Sequence, residues 1–350
     1  MFQLPGNQTA IIGSMPYGSA DDAFNVLSRF PLTIPTWYQL PKRSFKENMM
    51  VQYSRGLPGL VIDEENKRQW VERNDELLNA MTAFYEDALS DNIDIFAISE
   101  EFAEGFYHFV NIIKSLSDNI PIVKGQVTGP FSYGLSLNDN LGRAVWFDEQ
   151  YRDIIIKQLI NKALWQVKVL SEYAEKIVLF FDEPIFFALG TPAYIGIEDE
   201  TVIGVLNELS FAIQNENVAV GVHCCGNMDW SLLTQTSIDI IAFDAYEFGD
   251  KIALYPEAIN KFLDRGGVLA LGIVPTGNSS DIQKESYESL KEKENSLMDL
   301  YEKKGISLDL IQNRIIYTPS CGMGTLSLED SEKVLDLLAQ IGNPSGTKYI

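Results

Sequence analysis

The residues best equipped for chemistry in this chain are also its rarest. Two histidines and three cysteines occur in 350 residues, and one histidine and two cysteines stand together in the stretch 218–226, VAVGVHCCG. The apolar, β-branched run predicts a strand that breaks at Gly226-Asn227. Strand side chains alternate faces, so His223 and Cys225 point one way and Cys224 the other, into packing. Imidazole nitrogen and thiolate sulfur suit a soft, tetrahedral ion such as Zn2+. Two ligands do not make a site. The remaining cysteine, Cys321, follows the apolar run RIIY in TPSCGMG, where a third ligand belongs if the chain curls round a common centre. A catalytic zinc needs three protein ligands and an open position. A fourth candidate is Asp244 in AFDAY or Glu247 in AYEFG, and the strand period does not choose between them.

Those ligands need a scaffold. Apolar strands are predicted at TAIIGS (9–14), IFAIS (95–99), PIVKGQVTG (121–129), KIVLFFDEP (176–184), NVAVGVHCCG (217–226), IDIIAFDAY (238–246), GVLALGIVP (267–275) and RIIYTPSC (314–321). Helical stretches fall between them, at about 20–30, 67–89, 147–175, 199–214, 253–263, 281–304 and 328–341. Near-continuous apolar strands alternating with helices describe a parallel sheet covered on both faces. Eight such units predict an α/β fold, a closed (β/α)8 TIM barrel occupying residues 1–350 as a single domain. No strand is followed by GxGxxG or a P-loop, which argues against an open dinucleotide-binding sheet. Residues 31–62, rich in aromatics and proline, lack a period and read as a long excursion over one face. Chemistry in such barrels sits at the C-terminal strand ends. Ser14, Glu100, Glu101, Gln126, Thr128, Asp182, Glu183, His223, Cys225, Asp244, Glu247, Thr276 and Cys321 all fall there.

Bulk properties narrow the partners. The formal charge is −22 and 46% of residues are hydrophobic. A folded core is expected, and so acidic a surface repels nucleic acid and anionic membrane. The N-terminus carries no signal-peptide pattern and no run is long enough to span a bilayer. Sparse, odd cysteines indicate a reduced, cytoplasmic setting.

Five stretches, IIGSMP (11–16), VKGQVTGP (123–130), FFDEP (180–184), VHCCGN (222–227) and TPSCGMG (318–324), together resemble the catalytic barrel of the cobalamin-independent methionine synthase family. That family and its short single-barrel members sit within the uroporphyrinogen decarboxylase-like group of barrels. The resemblance implies that His223, Cys225 and Cys321 are zinc ligands, with a carboxylate at the next strand end, Glu247 or Asp244, as a further one. It implies that Gly13, Ser14 and Asp182 hold an amino-acid substrate, with Gln126 beside them and Asp182 and Glu183 as the site's carboxylates. The expected reaction is methyl transfer to a thiol, homocysteine giving methionine, with zinc keeping the thiol ionised. This chain lacks the family's folate-binding half and its second site histidine; His108 falls on a helix and is expected to be structural. A methyl-corrinoid, carried by a protein partner, is therefore the expected donor, because Co(I) leaves without protonation. The rival readings are a coenzyme M or other small-thiol methyltransferase, a metal-free uroporphyrinogen decarboxylase-like enzyme, and a non-catalytic zinc-stabilised partner of a corrinoid protein. A sulfonate thiol or a multi-carboxylate substrate would want lysine or arginine; Lys124 and Arg143 are the nearest.

Overall fold

The computed structural model describes residues 3–4, 6–191, 194, 196–312 and 314–342. Seven parallel strands form one curled sheet in the order β1-β9-β8-β7-β6-β5-β4. They are β1 (Gln8–Thr9), β4 (Val123–Thr128), β5 (Ile177–Asp182), β6 (Val218–Cys224), β7 (Ile240–Phe243), β8 (Val268–Val274) and β9 (Ile315–Pro319). A separate antiparallel hairpin pairs β2 (Leu60–Asp63) with β3 (Arg68–Val71). Helices such as Glu149–Leu170 and Asp199–Ile213 cover the outside.

The second stave in chain order is not where the apolar pattern puts it. Residues 95–99 form no strand; Ile93–Phe96 is a 3-10 turn, and Glu100 and Glu101 after it are exposed. The gap between β1 and β4 is filled instead by residues 34–39, the start of the proline-rich excursion. Ile34 N–H donates to Thr9 O (2.9 Å), Gln39 N–H to Gly13 O (3.1 Å), Met15 N–H to Gln39 O (2.9 Å) and Lys124 N–H to Pro35 O (2.8 Å). Proline has no N–H to give, so Pro35 breaks the ladder into isolated parallel bridges, Ser14 with Gln39 and Thr36 with Lys124. The barrel closes through a stave that reads as a loop.

Two apolar layers result. Val178, Phe180, Ala219, Ile240, Ala242, Val268, Ala270 and Ile316, with Ala10 and Ile34, fill the inside of the barrel. Their strand neighbours, among them Leu179, Phe181, Val220, Val222 and Ile241, pack outward against the helices. The alternation is that of strands buried on both faces. The interior is narrow: the Phe180 ring covers Gly221, where a Cβ would come within 2.6 Å of it. Among the described residues, no helix is long and apolar enough to cross a membrane.

Candidate metal centre

Register across three strands builds the site. Thr128 on β4 pairs with Asp182 on β5, which pairs with His223 on β6. Asp182 stands two residues above inward-facing Phe180, and His223 two above Gly221, so both point into the barrel mouth. Cys225 follows past the end of β6, and Cys321 lies in the loop after β9. The imidazole nitrogen and the two sulfurs lie within 4.8 Å of one another. Zinc binds sulfur at about 2.3 Å and imidazole at about 2.0–2.1 Å, so donors this close can converge on one ion. His223 is buried, yet neither ring nitrogen has a hydrogen-bond partner among the described residues. Buried imidazoles are ordinarily bonded; a ring with both nitrogens unspent, facing two thiols, fits a ligand set. Cys224 turns away into the outer apolar layer, as strand alternation predicts.

The thiols are electrostatically linked. Cys225 is pulled below the usual thiol range, first by a bond from the Cys321 thiol and then by His223, while Cys321 is pushed up by the same bond and by burial. A thiol held low beside a second thiol and an imidazole suits a soft cation. Neither Asp244 nor Glu247 belongs to the trio. Asp244 caps the helix Ala245–Ile252, accepting from Glu247 N–H at 2.9 Å, and Glu247 is exposed.

The trio opens into a cavity of about 280 Å3 that Ser14, Gln39, Glu47, Met49, Asp182 and Thr325 help to line. Asp182 is pushed up to about 6 by burial, with His223 and then Lys124 opposing, and its buried Oδ1 has no partner among the described residues. Ser14 Oγ accepts from Gly324 N–H at 3.1 Å, tying the strand-end turn to the loop that carries Cys321. Gly13 admits no side chain, because a Cβ there would sit 2.8 Å from Gln39 Oε1 and 2.9 Å from Gln126 Cδ.

Several expected site residues lie elsewhere. Glu183, the neighbour of Asp182, points outward: its oxygens accept from Phe131 N–H (2.9 Å) and Ser132 N–H (2.7 Å) at the start of the helix Pro130–Ser136. It is a helix anchor outside the cavity. Gln126 lies below the cavity, its amide joining Trp37 O (3.0 Å) and Lys124 Nζ (3.2 Å). Thr128 donates to Met49 O at 2.6 Å and Thr276 bonds Ser320, so both brace loops. Lys124 is fully buried beneath the cavity. Arg143 lies by Asp139, 3.9 Å away. His108 bridges Tyr38 OH (2.5 Å) and Asp21 (2.9 Å) on an outer helix.

Glu47 is the cavity residue that the sequence pattern hid. Flanked by Lys46 and Asn48, it reads as surface, yet it is 1% exposed. Its carboxyl accepts from Leu40 N–H (3.0 Å) and Arg43 (2.7 Å), and burial pushes it up to about 7 against those bonds. Glu183 is likewise pushed up to about 7 by burial. An unfolded glutamate titrates near ~4.3. Between that value and about 7 the folded chain binds more protons than the unfolded chain, so unfolding free energy falls as pH rises through the window. Each group contributes about 1–2 kcal/mol of that fall between pH 5.5 and 8. Urea unfolding of metal-free protein at these two pH values is expected to show it, with a flatter slope in Glu47→Gln and Glu183→Gln; unchanged slopes would refute the assignment.

No family model matches the chain, and no curated protein does. Solved structures do. A B12-independent methionine synthase from Shewanella sp. W3-18-1, in complex with selenomethionine, is similar over 98% of this chain and 97% of its own, at TM-score 0.54 and 14% identity. A methyltransferase from Methanosarcina mazei is similar over 95% of this chain and 94% of its own, at TM-score 0.52 and 12% identity. At these identities the likeness establishes the barrel fold.

Proposed function

We propose that this chain is a zinc-dependent thiol S-methyltransferase, with His223, Cys225 and Cys321 as the metal ligands. The observation that carries the reading is the convergence of three soft donors, one of them a buried histidine with both nitrogens unspent, at the barrel mouth. Zinc held there would supply the Lewis acidity that keeps a substrate thiol deprotonated at neutral pH. The two full-length structural likenesses, to a methionine synthase and to a methyltransferase, favour the same chemistry.

The substrate we assign is a small aminothiol, homocysteine, giving methionine. Two buried carboxylates, Asp182 and Glu47, line the cavity, and among the described residues no lysine or arginine does. An ammonium group finds acceptors in such a lining, whereas coenzyme M, which has a sulfonate and no ammonium, and a uroporphyrinogen with its several carboxylates leave those carboxyl groups without a partner. Asp182, with an unpartnered oxygen, accepts from the ammonium, and Ser14 can donate its hydroxyl proton to the substrate carboxylate. The cavity is too small to enclose a corrinoid, so a methyl-corrinoid protein presents the methyl group at the mouth. The substrate sulfur would form the new S–C bond as the C–Co bond breaks, the bonding pair of that broken bond staying with cobalt. The leaving group would take no proton, and among the described residues the lining holds no histidine besides the ligand His223.

The test is zinc content of the purified protein, followed by methyl transfer from methylcobalamin to a panel of homocysteine, coenzyme M and 4-mercaptobutyrate. Zinc-dependent methionine formation supports the reading; no zinc-dependent product with any thiol overturns it. Asp182→Asn is expected to lower kcat/KM for homocysteine about 10–100-fold, chiefly through KM, the loss of one charged hydrogen bond at about 1.5–3 kcal/mol. Turnover of 4-mercaptobutyrate, which lacks the ammonium, should change little. An equal loss with both thiols would assign Asp182 to something other than ammonium binding.

A further inference from the structure

Lys124 is not among the cavity-lining residues, and its charge, which favours the ionised form of Asp182, is costly to bury. It is 0% exposed, inside the β-barrel. Among the described residues no carboxylate lies within ion-pair distance of it. Its ammonium instead donates to Ile12 O at 2.6 Å and Gln126 Oε1 at 3.2 Å, and sits 4.6 Å from the centre of the Phe180 ring. A methionine would fill that space without the penalty of burying a charge. What the charge holds is therefore informative.

Ile12 opens the turn through Gly13 to Ser14, and Ile12 and Ser14 both line the cavity. The turn in turn holds the loop of Cys321: Ser14 O accepts from Met323 N–H at 2.9 Å and Ser14 Oγ from Gly324 N–H at 3.1 Å. Gly322 and Gly324 press so closely on Ser14 that a Cβ at either would lie 2.2 Å and 3.1 Å from its Oγ. A chain of contacts runs from Lys124 through Ile12 and Ser14 to the loop carrying Cys321. We propose that Lys124 is a positioning residue, whose buried ammonium fixes the Ile12–Ser14 turn and, through it, both the substrate-facing hydroxyl and the Cys321 loop. The substrate half of this inference rests on the proposed thiol-binding function; the mechanical half does not.

The experiment compares Lys124→Met and Lys124→Gln with Lys162→Met. Lys162 is a second buried lysine, 1% exposed, that donates to Ala97 O at 3.3 Å, away from the turn. Hydrogen exchange on each zinc-loaded protein without thiol should show amide exchange at least about 10-fold faster in residues 11–15 and 322–325 of Lys124→Met. Lys124→Gln, which keeps a donor, should fall between it and wild type, and Lys162→Met should leave both segments unchanged. With homocysteine and methylcobalamin, Lys124→Met should raise KM about 10-fold with kcat within about 2-fold of wild type. Unchanged exchange in both Lys124 variants of an active enzyme sinks the inference alone, as does the same pattern in Lys162→Met. A wild-type protein that methylates no thiol sinks the proposed function and the substrate half together.

Discussion

Cys321→Ser protein is expected to fold normally and to lose zinc and methyl transfer together. Serine cannot supply a thiolate, and two remaining donors hold an ion far more weakly than three. We expect affinity and turnover each to fall by at least about 10^3-fold, measured by competition with a chelator and by methionine formation. The fold should survive because the Cys321 loop is fastened by other groups: Ser320 N–H donates to Val274 O at 2.8 Å, and Gly324 N–H reaches Ser14 Oγ. His223→Ala should behave alike, whereas Cys224→Ser, altering a residue that faces the outer layer, should keep its zinc. Unfolding of wild type on zinc removal, matched by unfolding of Cys321→Ser, would indicate a structural ion and sink the catalytic reading.

Glu183→Ala should give the opposite signature, a large loss of stability with little loss of intrinsic activity. Both carboxylate oxygens are spent on the first N–H groups of the helix Pro130–Ser136. The fit is so close that a Cβ on Gly129 would lie 2.2 Å from Glu183 Cδ. Removing the side chain leaves two buried donors without an acceptor and a void beside them. The expected cost is about 2–4 kcal/mol of unfolding free energy, read from denaturant midpoints. Activity per bound zinc should stay within about 3-fold, since the residue lies outside the cavity. A fall of 100-fold or more in the folded, zinc-loaded protein would return Glu183 to the chemistry.

The pair Asp182 and Glu183 illustrates what was legible in the sequence and what was not. Two carboxylates at one strand end both look like site residues by composition. The alternation that separated Cys224 from its neighbours also separates these two, one inward and one outward. The convergence of His223, Cys225 and Cys321 was readable because histidine and cysteine are scarce here and because strand periodicity orients them. Asp244 has a second use: a helix start after a strand wants a capping aspartate, and Asp244 fills that place. The second stave escaped because hydrophobic pattern reports burial, not pairing. Residues 95–99 are apolar yet form no strand, whereas 34–39 pair on both sides despite Pro35. Glu47 was invisible because it lies in an aperiodic stretch between polar neighbours, where nothing marks the turn that brings Leu40 N–H and Arg43 to its carboxyl.

One consequence of that second stave concerns how such a protein can be remodelled. The segment that closes the barrel, 34–39, runs directly into Gln39, Glu47 and Met49 of the cavity lining. Cavity wall and ring closure are thus written in one continuous piece of chain. Recombination breakpoints placed between residues 34 and 49 would split a stave from the pocket wall it carries, and chimaeras made there should yield few soluble products. Exchanged as a block from before Pro31 to beyond Leu57, the segment can bring a new wall together with the edge that seats it. Inheritance of specificity in this barrel is, on that view, a matter of swapping a stave rather than a loop.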